Sequence, residues 1–205
     1  MNKKLLRKIF LSFIGCIFLA LAIGMNAKVG IGGDSLNALY TGLNRTTGLS
    51  MGTVTLICSL VMLAIALVVG RKYLGITSIA FILLSKWPVD LGVRIMVTSN
   101  DLLTSIVLCI GTLFLMNLGV EIMILSGLGA GSYEALTMGL GKIFRMKYIY
   151  IRWICDAIVF ASGYFLGGDI GIGTIISYII TGPLMKMFES ILEEPINKYV
   201  NLPLN

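Results

Sequence analysis

The chain has 205 residues, of which 57% are hydrophobic and 13% are charged, and its mean hydropathy is +0.95. This small number of charged side chains cannot cover the surface of a soluble domain of this length. The composition therefore excludes a soluble protein. The formal net charge of +6 does not indicate nucleic-acid binding, because the Lys and Arg residues lie at the ends of apolar segments and form no basic face.

Six long apolar segments predict membrane-spanning helices. In chain order they cover about residues 8–27, 51–70, 75–96, 101–125, 148–167 and 170–190. Basic residues concentrate at the N-terminus, near residues 71–72 and 142–147, and towards the C-terminus, so we expect both termini on the cytoplasmic side. The prediction is a single all-α membrane domain over residues 1–205, a polytopic helical bundle surrounded by lipid.

A glycine-rich stretch occurs twice, and the second copy follows 97 residues after the first. It reads GIGGDSLNALYTGL from residue 30 and GLGAGSYEALTMGL from residue 127, with the same residue type at seven positions. Each copy predicts a glycine turn followed by about three turns of amphipathic helix, whereas a bilayer requires about 20 apolar residues to cross. We expect two re-entrant half-helices whose N-termini point into the membrane.

The two copies divide the chain into halves with three predicted spans each. Because three is odd, the second half enters the membrane inverted relative to the first. We predict two inverted 3+3 repeats, about 8–98 and 101–192, followed by a short cytoplasmic tail, 193–205. Pro88 and Pro183 take matching places in the last span of each repeat and are expected to interrupt it, the alternative being a bend used for packing. Paired interruptions in inverted repeats are typical of secondary transporters with a site near the midplane.

Two further stretches accompany the glycine motifs: RTTGLSMGT at residues 45–53 and GGDIGIGT at residues 167–174. With these in view, the chain resembles the YczE/YyaS/YitT group of bacterial integral membrane proteins, and the YczE branch in particular, over nearly its whole length. In that branch the first motif often reads Gly-x-Ser-Pro-Trp-Asp. The Pro-Trp pair is absent here, and Tyr133 and Glu134 supply an aromatic ring and an acid in the second copy. The resemblance implies a multi-pass protein of the bacterial cytoplasmic membrane, in a group that has no agreed biochemical activity and has been considered for transport.

Polar residues at bilayer depth are the candidates for binding, because a charge there costs about 2.5–3.5 kcal/mol on insertion scales. The N-terminus of a half-helix favours an anion, whereas carboxylates at the same place favour a cation or a proton, so the sign of the solute's charge stays open. The candidate binding residues are Gly30, Gly32, Asp34, Ser35, Asn37, Asn117, Glu121, Gly127, Gly129, Ser132, Tyr133 and Glu134, with Arg152 and Asp156 as a coupling or ion pair.

Each of these candidates also has a structural alternative. Asp34 and Ser132 are good helix N-caps. Asn117 and Glu121, four residues apart on one helix face, are suited to an interhelical hydrogen bond. Arg152 and Asp156 are also four residues apart, which suits an ion pair within one helix.

The sequence favours a secondary transporter or permease for a small solute. The alternative is a non-transporting scaffold or accessory partner of another membrane protein. We expect no enzyme, because neither glycine motif fits G-x-S-x-G and the chain has no histidine to act as a base. We also expect no metal, since the four cysteines lie in apolar segments without CxxC spacing and the chain has no histidine. No cofactor is expected, and the placement of the basic residues argues against a nucleic-acid partner. The solute, the coupling ion and the formation of a homodimer stay open.

Overall fold

The computed structural model describes residues 3–201, and all regular secondary structure within that range is helical, with no β-strand. The eight helices are α1 (Lys3–Val29), α2 (Ser35–Thr47), α3 (Met51–Val69), α4 (Ile76–Ile95), α5 (Leu102–Leu125), α6 (Ser132–Ile143), α7 (Tyr148–Phe165) and α8 (Ile172–Asn201). A short 3-10 turn, Arg71–Tyr73, precedes α4. The predicted all-α class is confirmed.

Five of these helices, namely α1, α3, α4, α5 and α8, are long and apolar enough to cross a membrane. The fifth predicted span, 148–167, forms α7, which has 18 residues and carries Arg152 and Asp156. It is not among the five helices that meet the length and composition required of a span. The two glycine motifs are followed by α2 with 13 residues and α6 with 12 residues, each shorter than a span.

Helix α1 lies at the centre of the bundle, packed against both α4 and α5. Small residues allow these backbones to approach: a Cβ atom on Gly15 would lie 2.8 Å from the carbonyl oxygen of Gly119 on α5. Gly24 meets the backbone of Val89 on α4 in the same way. The largest cluster of buried apolar side chains surrounds this crossing and includes Cys16, Leu19 and Leu113. A side chain larger than glycine at either contact would push the helices apart.

The outer surface of the helices is apolar. Large side chains such as Val68, Trp87 and Phe165 are at least 80% exposed. Lipid, unlike water, is a good solvent for such a surface, so these residues belong to the face that meets the hydrocarbon. Together with the five long apolar helices, they describe a membrane protein.

Each glycine motif contacts the first turn of the last long helix of the opposite half. The amide of Gly173, in α8, donates to the carbonyl of Ile31 at 2.9 Å, and the amide of Thr77, in α4, donates to the carbonyl of Leu128 at 3.3 Å. The motif glycines have positive φ angles: 76° and 89° at Gly30 and Gly32, and 66° and 109° at Gly127 and Gly129. Only glycine adopts such angles without strain, which explains the residue type at these turns.

Each short helix then packs against a helix of the opposite half, α2 against α7 and α6 against α3. The glycines Gly42 and Gly139 lie at these contacts, where a Cβ atom would collide with backbone atoms of Gly163 and Val69. The same residue in the two motifs therefore performs the same packing role.

The structure corrects the expected interruptions at Pro88 and Pro183, because α4 and α8 continue as helices through both residues. A proline removes one backbone hydrogen bond, and the bonds on either side are enough to keep the helix regular. Helix α8 also runs on through Pro195 to Asn201, so most of the segment predicted as a tail, 193–205, is helical. Its side chains Ile196 and Val200 pack against Ile122 on α5. Residues 202–205 lie outside the described part of the chain.

Candidate functional site

A cavity of about 340 Å³ lies between the helices, and all eight described helices contribute to its lining. This volume is within the range of about 300–1,000 Å³ that is usual for small-molecule sites. Eight of the residues chosen from the sequence line it: Asp34, Ser35, Asn117, Ser132, Tyr133, Glu134, Arg152 and Asp156. The cavity therefore brings together polar residues that are up to 122 positions apart in the chain.

Asp156 on α7 joins three helices at this cavity. Its Oδ1 atom accepts hydrogen bonds from the hydroxyl of Ser35, in α2, and from the hydroxyl of Tyr133, in α6, both at 2.6 Å. Its Oδ2 atom accepts from Nε of Arg152 at 3.3 Å. Bonds between a neutral donor and a carboxylate are stronger than those between two neutral groups, so this side chain holds the first turns of α2 and α6 against α7.

Arg152 lies in the same cluster and has several neighbours. Its Nη1 atom donates to the hydroxyl of Tyr148 at 2.8 Å, and its guanidinium group lies over the ring of Tyr133, 4.9 Å from the ring centre. The ion pair with Glu134 is looser, because Nη1 and Oε1 are 3.8 Å apart, which is longer than a hydrogen bond. The sequence-predicted pair of Arg152 and Asp156 is thus one part of a larger network.

The cavity lining carries more negative than positive side chains. Asp34, Glu134 and Asp156 provide three carboxylates, and Arg152 is the one basic residue of the lining. Asp34 caps α2, with its Oδ1 atom accepting from the amide of Asn37 at 3.1 Å. The Glu134 carboxylate lies over Gly131, where a Cβ atom would collide with it. Each short helix therefore has an acid from its own sequence at its positive end.

Ser132 differs from the capping role considered for it. Gly131 is the N-cap of α6, and Ser132 is the first residue of the helix itself. Its hydroxyl is buried without a hydrogen-bond partner, and the residue is 4% exposed. A buried hydroxyl without a hydrogen-bond partner lowers the stability of the folded protein. Because Ser132 belongs to the cavity lining, this unpaired hydroxyl is a candidate for contact with a bound solute.

The remaining candidates lie outside the cavity lining. Gly30, Gly32, Gly127 and Gly129 form the turns described above. The side chain of Asn37 instead donates to Asn26 on α1, and Asn26 donates to Thr112 on α5 at 2.7 Å. This network places Asn37 between helices α1, α2 and α5, where its amide oxygen is buried without a partner.

Asn117 and Glu121 are separated by the structure, although they share one face of α5. Asn117 lines the cavity, and its amide also donates to the carbonyl of Leu113 at 2.8 Å. Glu121 is buried, 4% exposed, and the charges of Glu189 and Glu193 on α8 act on its carboxyl group. It therefore lies towards the contact between α5 and α8, away from the cavity.

Apart from Tyr133, which was already a candidate, the aromatic side chains are the part of the site that the sequence interpretation missed. Six line the cavity: Tyr40, Phe81, Tyr133, Tyr148, Trp153 and Tyr178. Tyr148 carried a usable signal, because it precedes Arg152 by four residues and therefore shares its helix face. The others resemble ordinary apolar residues of a span, and no local pattern distinguishes them.

Comparisons with known proteins agree with a membrane protein of this length. The chain is 24% identical over 184 residues to the uncharacterized protein YyaS of Bacillus subtilis (strain 168), covering 88% of this chain and 91% of that protein. It is 22% identical over 187 residues to the uncharacterized membrane protein YczE of the same organism, covering 91% and 87%. An uncharacterized protein of Haemophilus influenzae is 21% identical over 174 residues, covering 85% and 79%. No solved structure matches the chain.

The resemblance to YczE and YyaS expected from the glycine motifs is thus confirmed. A family model described as a family of unknown function, DUF6198, matches residues 6–190, which is most of the chain. The protein therefore belongs to the DUF6198 family.

Proposed function

We propose that this protein is a secondary transporter or permease that binds a small solute in the central cavity, between two inverted repeats. The observation that carries the proposal is that the first turns of α2 and α6 line the same cavity, through Asp34 and Ser35 on one side and through Ser132 and Glu134 on the other. Sites made where two half-helix N-termini meet are characteristic of transporters built from inverted repeats.

The equivalent contacts of the two halves support the inverted-repeat part of the proposal. The bond from Gly173 to Ile31 has its counterpart in the bond from Thr77 to Leu128, and each joins a glycine motif of one half to a helix of the other. Likewise, the contact of α2 with α7 has its counterpart in the contact of α6 with α3. Such reciprocal contacts are expected of two halves related by a twofold axis, and they favour re-entrant insertion of both short helices.

The chemistry of the cavity supports solute binding. Ionisable residues inside membrane proteins are expensive and usually mark a solute or proton pathway. The loose 3.8 Å pair between Glu134 and Arg152 leaves the Glu134 carboxylate able to exchange partners, which a transport site requires. The alternative, a scaffold for another membrane protein, predicts that these charges serve only to hold α2, α6 and α7 together.

Flux into proteoliposomes tests the proposal. Purified protein is reconstituted with a pH-sensitive dye inside the vesicles, and a panel of organic amines, amino acids, sugars and carboxylates is applied under inward and outward proton gradients. We expect at least one class to cause flux that depends on the protein and is lost in Glu134→Gln. Asp169→Asn is the matched control, because Asp169 pairs with Arg45 outside this cavity. If no class causes flux above that of protein-free vesicles, the transporter proposal fails and the scaffold alternative stands.

A further inference from the structure

The cavity lining has an unbalanced charge. Three carboxylates, Asp34, Glu134 and Asp156, face one guanidinium group, that of Arg152. Asp156 and Arg152 neutralise one another within α7, since Nε and Oδ2 are 3.3 Å apart. Asp34 and Glu134 are left with no basic side chain of the lining dedicated to them, and Glu134 is 3.8 Å from Arg152. A solute that enters this cavity meets an excess of negative charge.

An anion at the positive ends of the short helices is disfavoured for a specific reason. The Asp34 carboxylate already accepts the Asn37 amide in the first turn of α2. Glu134 lies in the first turn of α6, and its carboxylate covers Gly131. A negatively charged ligand at either end would face a carboxylate at close range instead of open N–H groups, and like charges in a site of low dielectric repel strongly.

The apolar part of the lining argues against a bare metal ion. Hard cations such as Ca²⁺ and Mg²⁺ need six or more oxygen ligands. Here the acids are accompanied by the six aromatic side chains and by aliphatic residues including Leu19, Ile23 and Met62. Aromatic faces bind organic cations well, and one of them, Tyr133, already holds a guanidinium group at 4.9 Å.

Ser132 supplies an independent indication of a polar ligand group. Ser132 belongs to the cavity lining and is 4% exposed, and its hydroxyl oxygen is buried without a hydrogen-bond partner. An ammonium group carries several N–H donors, so it can bond to a carboxylate and to a neighbouring hydroxyl oxygen together.

We propose that the solute is an organic ammonium ion, whose charged head binds among Asp34, Ser132 and Glu134 and whose apolar body contacts the aromatic lining. This inference deepens the proposed function and rests on it, because it names the class of solute for the same cavity. Arg152 acts as the internal cation that keeps Glu134 partly balanced when the cavity holds no solute.

Tryptophan fluorescence measures the binding directly. The chain has two tryptophans, Trp153 in the cavity lining and Trp87, which is 80% exposed on the outer surface. In Trp87→Phe, the emission therefore reports on Trp153. Three probes of similar size are titrated into the protein in maltoside micelles: benzylammonium, benzyl alcohol and benzoate, which are positive, neutral and negative.

We expect benzylammonium to bind at least about tenfold more tightly than benzyl alcohol, and benzoate to bind more weakly than either. Glu134→Gln is expected to weaken benzylammonium about tenfold, whereas Asp169→Asn leaves it unchanged. Equal binding of benzylammonium and benzyl alcohol, or tighter binding of benzoate, overturns the inference. This comparison of the three probes needs only protein with Glu134 intact, so it decides the question even if Glu134→Gln does not fold.

Flux of the same probes separates this inference from the proposed function. Benzylammonium that binds but is not carried into proteoliposomes contradicts transport and leaves the cation site standing. Flux of a sugar or carboxylate without binding of benzylammonium contradicts the cation site and leaves transport standing.

Discussion

Asp34 and Gly131 take the same position in the two glycine motifs, and so do Asn37 and Glu134, yet these pairs differ in chemistry. In the first motif Asp34 faces the cavity and Asn37 is used to bond Asn26. In the second motif the acid is Glu134, which lies in the first turn of the helix. The two motifs thus share a backbone conformation but carry different polar side chains at equivalent positions. A site for a solute whose two ends differ requires such a difference.

At the same scale, Asp156 is expected to be the most sensitive polar residue for stability. Asp156→Asn keeps the shape of the side chain but removes the charge that accepts from Ser35, Tyr133 and Arg152. We expect the free energy of unfolding to fall by about 1.5–3 kcal/mol, as is usual for hydrogen bonds to a charged group.

Denaturant unfolding in mixed micelles measures the change. The matched control is Asp169→Asn, whose partner Arg45 is 56% exposed, and its effect should stay below about 1 kcal/mol. An Asp156→Asn protein that unfolds at the wild-type denaturant concentration contradicts the role of Asp156 in joining α2, α6 and α7.

At the scale of elements, the glycine turns determine where the short helices point. Each turn places its helix N-terminus at the cavity and its carbonyl against the opposite half, through Ile31 and Leu128. The turns use positive φ angles that other residues avoid. The packing glycines Gly42 and Gly139 then allow close contact with the ends of α7 and α3, respectively.

Gly129→Ala tests this role. Gly129 has a φ angle of 109°, and a Cβ atom there would lie 2.5 Å from the amide nitrogen of Gly75. Both strain and collision should lower stability by more than about 1 kcal/mol. In Gly111→Ala the new methyl group meets nothing within 4 Å on helix α5, so stability should stay equal or rise by up to about 1 kcal/mol. Thermal unfolding of the two purified variants makes the comparison, and equal melting temperatures would show that the turn geometry is unimportant.

At the scale of the whole molecule, the halves are held together by α1, which contacts α4 of its own half and α5 of the other. The apolar outer surface indicates that lipid surrounds this bundle. Movement of one half against the other would alter the cavity, because both halves line it. Alternating access by such rocking is the mechanism that the proposed inverted repeats would support.

The proposed inversion predicts the sides on which two equivalent loops lie. In a variant without Cys16, Cys58, Cys109 and Cys155, a single cysteine is introduced as Thr47→Cys, at the C-terminal end of α2, or as Met146→Cys, after α6. We expect a membrane-impermeant maleimide to label Thr47→Cys in intact cells and Met146→Cys only after permeabilisation, because basic residues gather near residue 146. Labelling of both positions from the same side would contradict the inverted repeats.

The sequence by itself determined the helical membrane character, the positions of the glycine turns and the pairing of Arg152 with Asp156. These features depend on apolar length, on backbone angles that only glycine tolerates and on the four-residue spacing of a helix, all of which are local.

Only the tertiary structure decided which polar residues share the cavity. Ser35 and Asp156 are 121 residues apart, and their contact depends on how α2 packs against α7. The same packing brings Glu134 and six aromatic rings to the cavity and leaves Asn37 and Glu121 elsewhere. A helix face follows from periodicity, but the neighbour that it meets follows from the crossing of whole helices, which no local spacing encodes.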